Sequence, residues 1–306
     1  MALGDHDVHQ RPALGIALRV AAMAVFAGMS ALVKWCGEAG VPTFQMIFFR
    51  NAVAFVPLGL YIWRTTGFGV LRTRRPGGHL TRSAIGLFGM VCGFSALQAL
   101  PLTTATALSF AAPLFMTALA AVVLKEPVGA HRWAAVAVGF VGVVIMVRPD
   151  PGHMNLIGAT LALGGAVGTA GAMTTIREIG RTEPGPTIVF YFTLAGALMG
   201  LASLPFGWVA PSPTVLAVLV LMGLLGGVGQ LLLTEALRVA PVGLVAPFDY
   251  TQLVWASLIA FLAWGELPRP WTLTGALIVA ASGVYILHRE LRRLRRARSG
   301  TRSDAA

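Results

Sequence analysis

Residues 242–264 read VGLVAPFDYTQLVWASLIAFLAW, an apolar run of 23 residues in which Asp249 is the single charged side chain. A hydrocarbon core about 30 Å thick is crossed by about 20 helical residues, so this run is long enough to span a membrane. We predict one continuous transmembrane helix with Asp249 at membrane depth. At about 3.6 residues per turn, one face holds Asp249, Gln252, Ala256, Ala260 and Ala263. Bulky apolar residues cover the remaining circumference, which is expected to meet lipid.

The composition places the whole chain in a membrane. Hydrophobic residues make up 56% of its 306 residues and charged residues only 11%, whereas soluble domains carry about 25% charged residues. The net charge is +11, but the basic residues lie between apolar runs and in the C-terminal tail. A nucleic-acid partner would require a basic face on a folded domain, so none is expected. The lipid bilayer is the predicted surroundings of the chain.

Ten apolar runs of helix length follow one another. They lie at about 15–34, 44–63, 84–101, 103–124, 131–148, 155–175, 187–207, 214–234, 242–264 and 271–288. Outer-membrane barrels would instead show alternating segments of about 10 residues. We therefore predict an all-α integral membrane protein with ten transmembrane helices. The two cysteines, Cys36 and Cys92, are too few for a disulfide framework or a metal cluster, and no cofactor is expected.

The distribution of Lys and Arg predicts the orientation, because basic loops are retained in the cytoplasm. Counted on alternate sides of the ten runs, 19 of the 23 basic residues fall on one side, Arg19 and Arg82 among them. Three fall on the other side, and Arg50 remains inside a run. We predict an inner-membrane protein with both termini cytoplasmic, namely a segment 1–14 and a basic tail 289–306.

An internal repeat appears when the two halves are offset by about 140 residues. Ala96-Leu97, Pro101, Ala120 and Glu126 recur as Ala236-Leu237, Pro241, Ala260 and Glu266. Residues 15–148 and 155–288 would then be two copies of five helices each. Because five is odd, the second copy must enter the membrane with the opposite orientation. Inverted repeats of this kind are typical of secondary transporters, whose binding site lies near the midplane between the copies.

Three short motifs fall at defined places in these helices. They are Phe48-Phe49-Arg50 in the second, Leu124-Lys125-Glu126-Pro127 after the fourth, and Trp264-Gly265-Glu266-Leu267-Pro268 after the ninth. With the two five-helix halves, they resemble the drug/metabolite transporter superfamily in its EamA-type branch. That resemblance implies transport of a small metabolite: related proteins export amino acids, purines, cell-wall precursors or metallophores, and others import S-adenosylmethionine or riboflavin. The second half departs from the pattern, because the equivalent segment Phe190–Phe192 contains no arginine that corresponds to Arg50.

Arg50 and Asp249 are the leading candidates for the binding site, because an ionisable residue within a span is costly unless it is paired or faces water. An amino-acid-like zwitterion would bridge them, with its carboxylate on Arg50 and its ammonium on Asp249. The alternatives are structural. Arg50 would reach outward or bind free carbonyls, and Asp249 would meet a neighbouring basic or polar group.

Several polar side chains accompany these two charges. The candidates for lining the same cavity are Ser30, Gln98, Gln230, Tyr250 and Gln252. Tyr250 is included because its ring can stack on a planar substrate. For any single Ser or Gln, an interhelical hydrogen bond is the simpler role. No catalytic residue and no metal ligand is proposed.

Proline and glycine predict two features of the packing. Pro113 removes a backbone hydrogen bond in the fourth run and should kink that helix. Glycines spaced at three or four residues allow two helices to approach closely. They are Gly164, Gly168 and Gly171 in the sixth run and Gly223 and Gly227 in the eighth.

The absence of enzyme motifs also guides the functional prediction. The sequence contains no glycine loop ending in GK[ST], no HExxH and no GxSxG, which argues against ATP-driven transport and against hydrolytic chemistry. We predict a secondary carrier, not an enzyme, that exports an amino-acid-like compound or amino-acid-derived metallophore. Uptake of a cofactor-like nutrient is the alternative, and an intramembrane enzyme or non-transporting subunit is the competing class. A proton, titrating Asp249, is the candidate coupling ion.

Overall fold

The structure is a computed structural model that describes residues 11–122, 129–147, 155–240 and 242–303. Throughout these ranges every regular element is helical. The all-α class is therefore confirmed for the part of the chain that is described. Outside it lie most of the predicted N-terminal segment 1–14, the motif at Leu124–Pro127, and Arg148.

Twelve α-helices occur in the described ranges. They are α1 Pro12–Glu38, α2 Thr43–Thr65, α3 Pro76–Ala99, α4 Leu102–Ser109, α5 Ala112–Val122, α6 Ala130–Val147, α7 Leu156–Ile179, α8 Gly185–Ala202, α9 Pro213–Val239, α10 Val242–Val245, α11 Thr251–Trp264 and α12 Pro270–Ser303. Seven stretches are long and apolar enough to cross a membrane, and they lie in α1, α2, α3, α4–α5, α7, α8 and α9. The chain is thus a membrane protein with several spans. Residues 289–303 of the predicted basic tail belong to α12.

The fourth predicted span is interrupted near its middle. α4 ends at Ser109, Phe110 and Ala111 form a turn, and α5 begins one residue before Pro113. Proline has no N–H to donate, and its ring clashes with the carbonyl four residues earlier, so α4 cannot continue through it. The expected kink at Pro113 is confirmed and is a full break in the helix.

The predicted continuous helix over residues 242–264 is wrong in its first third. α10 stops at Val245, a 3-10 segment covers Ala246–Tyr250, and α11 begins at Thr251. Pro247 lies inside the 3-10 segment and disfavours an α-helix there for the same reason as Pro113. Asp249 therefore lies in the 3-10 segment, whereas Gln252 lies in α11. The two residues do not share the one continuous α-helical face that the sequence predicted.

Within α11 the predicted division of faces holds only in part, because Trp255 and Ile259, predicted to meet lipid, pack partly buried against the core. Ala256 and Ala260 are fully buried, whereas Leu262 on the opposite side is 73% exposed. Apolar side chains that face lipid tails lose no favourable free energy by being outside the protein core, because the tails are as apolar as the side chains. Ala263, predicted on the buried face, is exposed.

Glycines bring neighbouring helices into backbone contact, as their spacing predicted. A Cβ added to Gly168 of α7 would lie 2.6 Å from the backbone nitrogen of Gly89 in α3. A Cβ added to Gly223 of α9 would lie 2.6 Å from the carbonyl oxygen of Phe49 in α2. Because real Cβ atoms do not approach other atoms so closely, the packing of α3 on α7 and of α9 on α2 requires glycine at these positions.

Contacts between helix ends define which elements begin and end at each face of the bundle. The Lys34 ammonium, near the end of α1, lies 3.4 Å from the carbonyl oxygen of Leu100, just after α3. The Asn155 amide, at the start of α7, lies 3.3 Å from the carbonyl oxygen of Ala99. α7 therefore begins at the face where α1 ends, which we call the α1-end face. The opposite α1-start face contains the end of α9, because the Arg11 N–H donates to Val239 O at 3.0 Å.

Candidate functional site

Arg50 lies inside the bundle, about 10 Å along α2 from its first residue. The residue is only 7% exposed. One guanidinium nitrogen, Nη1, donates to Asn51 Oδ1 at 2.9 Å, and the Asn51 amide in turn donates to Ile47 O at 2.8 Å. The Nε of Arg50 is buried without a hydrogen-bond partner. Gly226 of α9 leaves room for it, because a Cβ there would lie 3.2 Å from Nε.

Arg82 is a second cation inside the bundle, and its predicted place outside the third helix is wrong. It lies six residues into α3, because that helix begins at Pro76 and not near residue 84. Its guanidinium carbon lies 3.9 Å from the ring centroid of Phe192. Two of its nitrogens, Nε and Nη1, are buried without partners. Gly86, one turn further along α3, leaves room for the Arg82 guanidinium, because a Cβ at that position would overlap Nη1.

The ring of Phe192 in α8 is shared by both cations. The guanidinium carbon of Arg50 lies 5.8 Å from its centroid and that of Arg82 lies 3.9 Å from it, so the two guanidinium carbons are within about 10 Å of each other. Arginine keeps its charge in proteins. At an effective dielectric constant of about 20, two such charges repel by about 2 kcal/mol. Among the described residues, neither guanidinium has a carboxylate partner.

A cavity of about 300 Å³ opens beside these two arginines. Its polar lining comes from several helices and consists of Ser30, Arg50, Arg82, Thr106, Ser109, Thr169 and Gln252. A smaller space of about 30 Å³ adjoins Arg50, Arg82 and Phe192 and is also lined by Gln230. No carboxylate belongs to either lining in the part of the chain that is described. The larger cavity has the size of small-molecule sites, about 300–1,000 Å³.

Asp249 does not line this cavity. The Nε and Nη2 of Arg19 donate to its two carboxylate oxygens, the Nη2 contact being 2.5 Å long. Arg19, which the charge count assigns to one side of the membrane, lies seven residues into α1 and is only 9% exposed. A bidentate ion pair holds the 3-10 segment against α1 about 10 Å from the α1-start face.

The remaining predicted site residues divide between the cavities and the packing. Ser30 and Gln252 line the larger cavity with Arg50, and Gln230 lines the smaller one. Gln98 instead donates to Thr43 Oγ1 at 2.8 Å and to Phe94 O at 3.2 Å. The Tyr250 ring packs edge-on against Phe110, with centroids 5.0 Å apart.

Signals for the two overlooked arginines were present in the sequence. Arg19 falls inside the first apolar run, 15–34, and Arg82 precedes the third run by two residues. Hydropathy places Arg82 between runs because it leaves helix boundaries imprecise, whereas the charge count assigns Arg19 to the side of the membrane at which its run begins. The pairing of Arg19 with Asp249 had no local signal, because the two are 230 positions apart.

A polar cluster around Lys34 lies at the α1-end face. Its ammonium lies 3.3 Å from Glu38 and 3.8 Å from Glu266. The Trp264 indole N–H donates to Glu38 at 2.8 Å. This cluster joins the end of α1 to the end of α11, and its residues stay apart from the cavity lining.

A second polar cluster lies at the α1-start face. The carboxylate of Glu183, in the loop between α7 and α8, lies 3.3 Å from His79 Nε2 and accepts the Arg74 backbone N–H at 3.2 Å. Burial raises the pKa of the Glu183 carboxyl, but hydrogen bonds from His79, Arg74 and Thr73 outweigh it, so the pKa lies below its ordinary value. The His79 ring also packs on Tyr191, with centroids 4.6 Å apart.

Comparison with known families gives two matches along the chain. The EamA-like transporter family matches residues 13–148 and again residues 156–288. The chain belongs to the EamA-like transporter family. It is therefore a small-molecule transporter of the drug/metabolite type, as the sequence motifs indicated.

Curated relatives of this transporter differ in what they carry. It is 30% identical to the S-adenosylmethionine uptake transporter of Rickettsia prowazekii (strain Madrid E), over 81% of this chain and 84% of that protein. It is 29% identical to the riboflavin transporter of Rhizobium johnstonii, over 94% and 95% of the two chains. It is 28% identical to the pseudopaline exporter CntI of Pseudomonas aeruginosa, over 89% and 95%. A solved crystal structure with 20% identity has a TM-score of 0.64 and covers 92% of this chain and 98% of that one, which shows a shared fold.

Proposed function

We propose that this transporter is a secondary carrier that moves a small polar or amphipathic organic metabolite across the cytoplasmic membrane by alternating access. The observation that carries this proposal is the polar cavity inside an apolar bundle, with two guanidinium groups that lack carboxylate partners among the described residues. Buried charge of this kind is costly and marks substrate pathways in membrane proteins. Transport driven by ion or substrate gradients also fits a chain without an ATP-binding glycine loop. We propose no chemical change of the substrate.

Two inverted repeats of five spans each, residues 15–148 and 155–288, are part of this proposal. The double family match supports two copies. The opposite directions of α1 and α7, each the first helix of its copy, support the inversion. Equivalent contacts support it further, because a Cβ on Gly15 would overlap Ala240 and a Cβ on Gly158 would lie 2.8 Å from Leu100. These pairs are related by the offset of about 140 residues found in the sequence.

Ring packing near the middle of the bundle is consistent with this symmetry. Phe110 and Tyr250 are equivalent in the two copies and contact each other directly. Residues on a two-fold axis meet their own equivalents, as in any two-fold interface. Both lie at the interruptions of the fourth and ninth spans, and broken helices in equivalent positions are typical of transporter binding sites.

The proposed orientation places both termini in the cytoplasm, with ten spans between them. Leaving out Arg19, Arg82 and Lys34, whose charged groups are buried in the bundle, gives 17 basic residues on one side and two on the other. That asymmetry still favours a cytoplasmic location for the α1-start face.

Proton coupling through Asp249 is the proposed drive. Protonation of this carboxylate would remove its charge and weaken the pair with Arg19, which joins α1 to the 3-10 segment before α11. A proton taken up from one side would thus loosen a contact near one face of the bundle. Because Asp249 lies outside the cavity lining, the proton site and the substrate site would be separate.

Export of an amino-acid-derived compound is the direction we favour. The arginines of the cavity fit carboxylates through planar, bidentate hydrogen bonds. Uptake of a cofactor-like nutrient remains the second candidate, because relatives of this chain are named for S-adenosylmethionine uptake and riboflavin transport. S-adenosylmethionine bears a sulfonium cation, and two arginines disfavour a cation in this cavity.

The experiment compares solutes in cells and medium with and without the protein. A solute that accumulates in the medium only when the protein is present supports export. Depletion of a solute from the medium supports uptake. Unchanged pools on both sides, with the protein verified in the membrane, would count against a carrier.

A further inference from the structure

We propose that Arg50 and Arg82 together form an anion-binding site beside Phe192 and that the substrate is an organic dianion whose two acidic groups are bound by the two guanidiniums. This inference rests on the proposed carrier function and specifies its substrate class. It replaces the zwitterion that the sequence suggested, because Asp249 is held by Arg19 and is absent from the cavity lining.

Unpartnered nitrogens identify the site. Arg50 is more than nine-tenths buried, yet its Nε has no hydrogen-bond partner. The Nε and Nη1 of Arg82 are likewise buried without partners. Buried donors in folded proteins are nearly always satisfied, so those that are not point to a missing ligand. Both arginines line the same cavity.

Charge balance sets the class of ligand. The described lining contains two positive charges and no carboxylate. A cation would add to the repulsion, and a zwitterion with one carboxylate would pair one guanidinium and leave its own ammonium without an acidic partner. Two acidic groups on one molecule pair both guanidiniums at once. Carboxylates and phosphates both fit the planar fork of arginine.

The geometry fits two acidic groups on one small molecule. The guanidinium carbons are within about 10 Å of each other, since each lies close to the Phe192 ring. Ser30, Thr106, Ser109 and Gln252 supply neutral hydrogen-bonding groups for the remainder of the ligand. Phe192 and Gly86 keep Arg82 in place, the ring by its contact with the guanidinium and the glycine by leaving room for it.

The test sorts the transported solutes by charge. Metabolite pools are measured in cells and medium for the wild-type protein, Arg50→Gln, Arg82→Gln and the control Arg64→Gln, which removes an exposed cation at the end of α2. We expect the solute whose distribution depends on the wild-type protein to carry two acidic groups. Its distribution should be the same with Arg50→Gln or Arg82→Gln as without any protein, and should be unchanged from wild type with Arg64→Gln. In proteoliposomes each Gln variant should raise the half-saturating concentration of that solute by about 10- to 100-fold, the loss of one charge-assisted contact. Arg50→Lys and Arg82→Lys should restore it only partly, because lysine lacks the fork.

Two glycine substitutions on α3 test whether the position of the Arg82 guanidinium matters in addition to its charge. Gly86→Ala would displace Arg82 without removing its charge, whereas Gly77→Ala on the same helix meets no atom within 4 Å. Gly86→Ala should weaken transport of the same solute, and Gly77→Ala should not.

Each result decides between distinct conclusions. A protein-dependent solute that is a cation, is neutral or carries a single acidic group overturns the dianion inference and leaves the carrier intact. A dianion still transported normally by Arg50→Gln and Arg82→Gln overturns the site. If no solute depends on the wild-type protein, the carrier function itself fails and the inference with it.

Discussion

At the scale of single residues, Arg19 and Asp249 make the contact whose removal should be most informative. The Arg19 side chain is 10% exposed and that of Asp249 38% exposed. Asp249→Asn therefore leaves a buried guanidinium without its counter-charge. We expect it to lower the free energy of unfolding by about 2–3 kcal/mol, less than the roughly 3–5 kcal/mol typical of fully buried pairs, because the carboxylate is only partly buried. Thermal unfolding in detergent measures the change.

A double variant separates the structural role of this pair from coupling. Arg19→Gln with Asp249→Asn removes both charges, so most of the lost stability should return. Transport driven by a pH gradient should be lost in Asp249→Asn and in the double variant alike, because neither has a carboxylate at position 249 to bind the proton. Wild-type pH dependence in the double variant would make the pair structural and turn attention to Glu235, which accepts a hydrogen bond from Tyr61 at 2.8 Å.

Glu183 should make stability depend on pH. Its pKa in the folded protein lies below the ordinary value of 4.5, so the folded state favours the charged form. The contribution is present above the unfolded pKa and is lost as pH falls through the lower, folded pKa. Glu183→Gln should lower the melting temperature by about 2–4 °C at pH 7, and the difference from wild type should be smaller at about pH 3, below the ordinary pKa of a glutamate.

The exposed carboxylate of Glu178 supplies the control for that measurement. It lies at the end of α7, only five positions from Glu183. Glu178→Gln should leave the melting temperature unchanged at both pH values. Equal losses in the two variants would mean that loop charge in general, and not the hydrogen bonds from His79 and Arg74, stabilises this face.

The sequence identified some of these residues and missed others for physical reasons. Arg50 and Asp249 were recognisable because a charge within an apolar run is rare. Arg19 and Arg82 were missed because hydropathy places helix ends only to within several residues, and each lies near such an end. Which cation would meet Asp249 depends on the packing of α1 against the 3-10 segment, and no local pattern encodes that contact.

At the scale of helices, prolines divided two spans that hydropathy joined. The average apolarity of residues 242–264 does not register the missing hydrogen bond at Pro247, although the proline itself was visible. The same reasoning predicted a kink at Pro113, where the structure has a full break. Glycine spacing was equally reliable, because close approach of two helix backbones depends only on the absence of a side chain.

Gly168 provides the test at this scale. Gly168→Ala places a methyl group against the backbone of Gly89, so α3 and α7 must move apart. We expect a loss of about 1–3 kcal/mol, the usual effect of overpacking. Gly185→Ala is the matched control, because a Cβ there meets nothing within 4 Å. If both substitutions left thermal stability unchanged, the α3–α7 contact would be looser than the structure has it.

At the scale of the whole molecule, composition sufficed for the all-α membrane class, and a few identities at an offset of about 140 residues indicated two copies. Neither showed where the copies touch. Those contacts, between α1 and α9 and between α3 and α7, depend on how helices that are far apart in the chain pack against each other. Charge counting adds a prediction of the orientation, because orientation depends on the basic residues of the loops, which the sequence contains.

The orientation yields the last prediction. With 17 basic residues assigned to the side where α1 begins, the loop holding Arg72, Arg74 and Arg75 should face the cytoplasm. A reporter active only in the cytoplasm should therefore be active when fused after Arg75 or at the C-terminus. It should be silent when fused near Asp150 or at Pro211, on the opposite side. A reporter active only outside the cytoplasm, fused at the same four positions, is the control and should give the reverse pattern. If instead the fusions after Arg75 and at Pro211 reported the same side, the two would be joined by an even number of crossings, and the proposed inversion of the second copy would lose its basis.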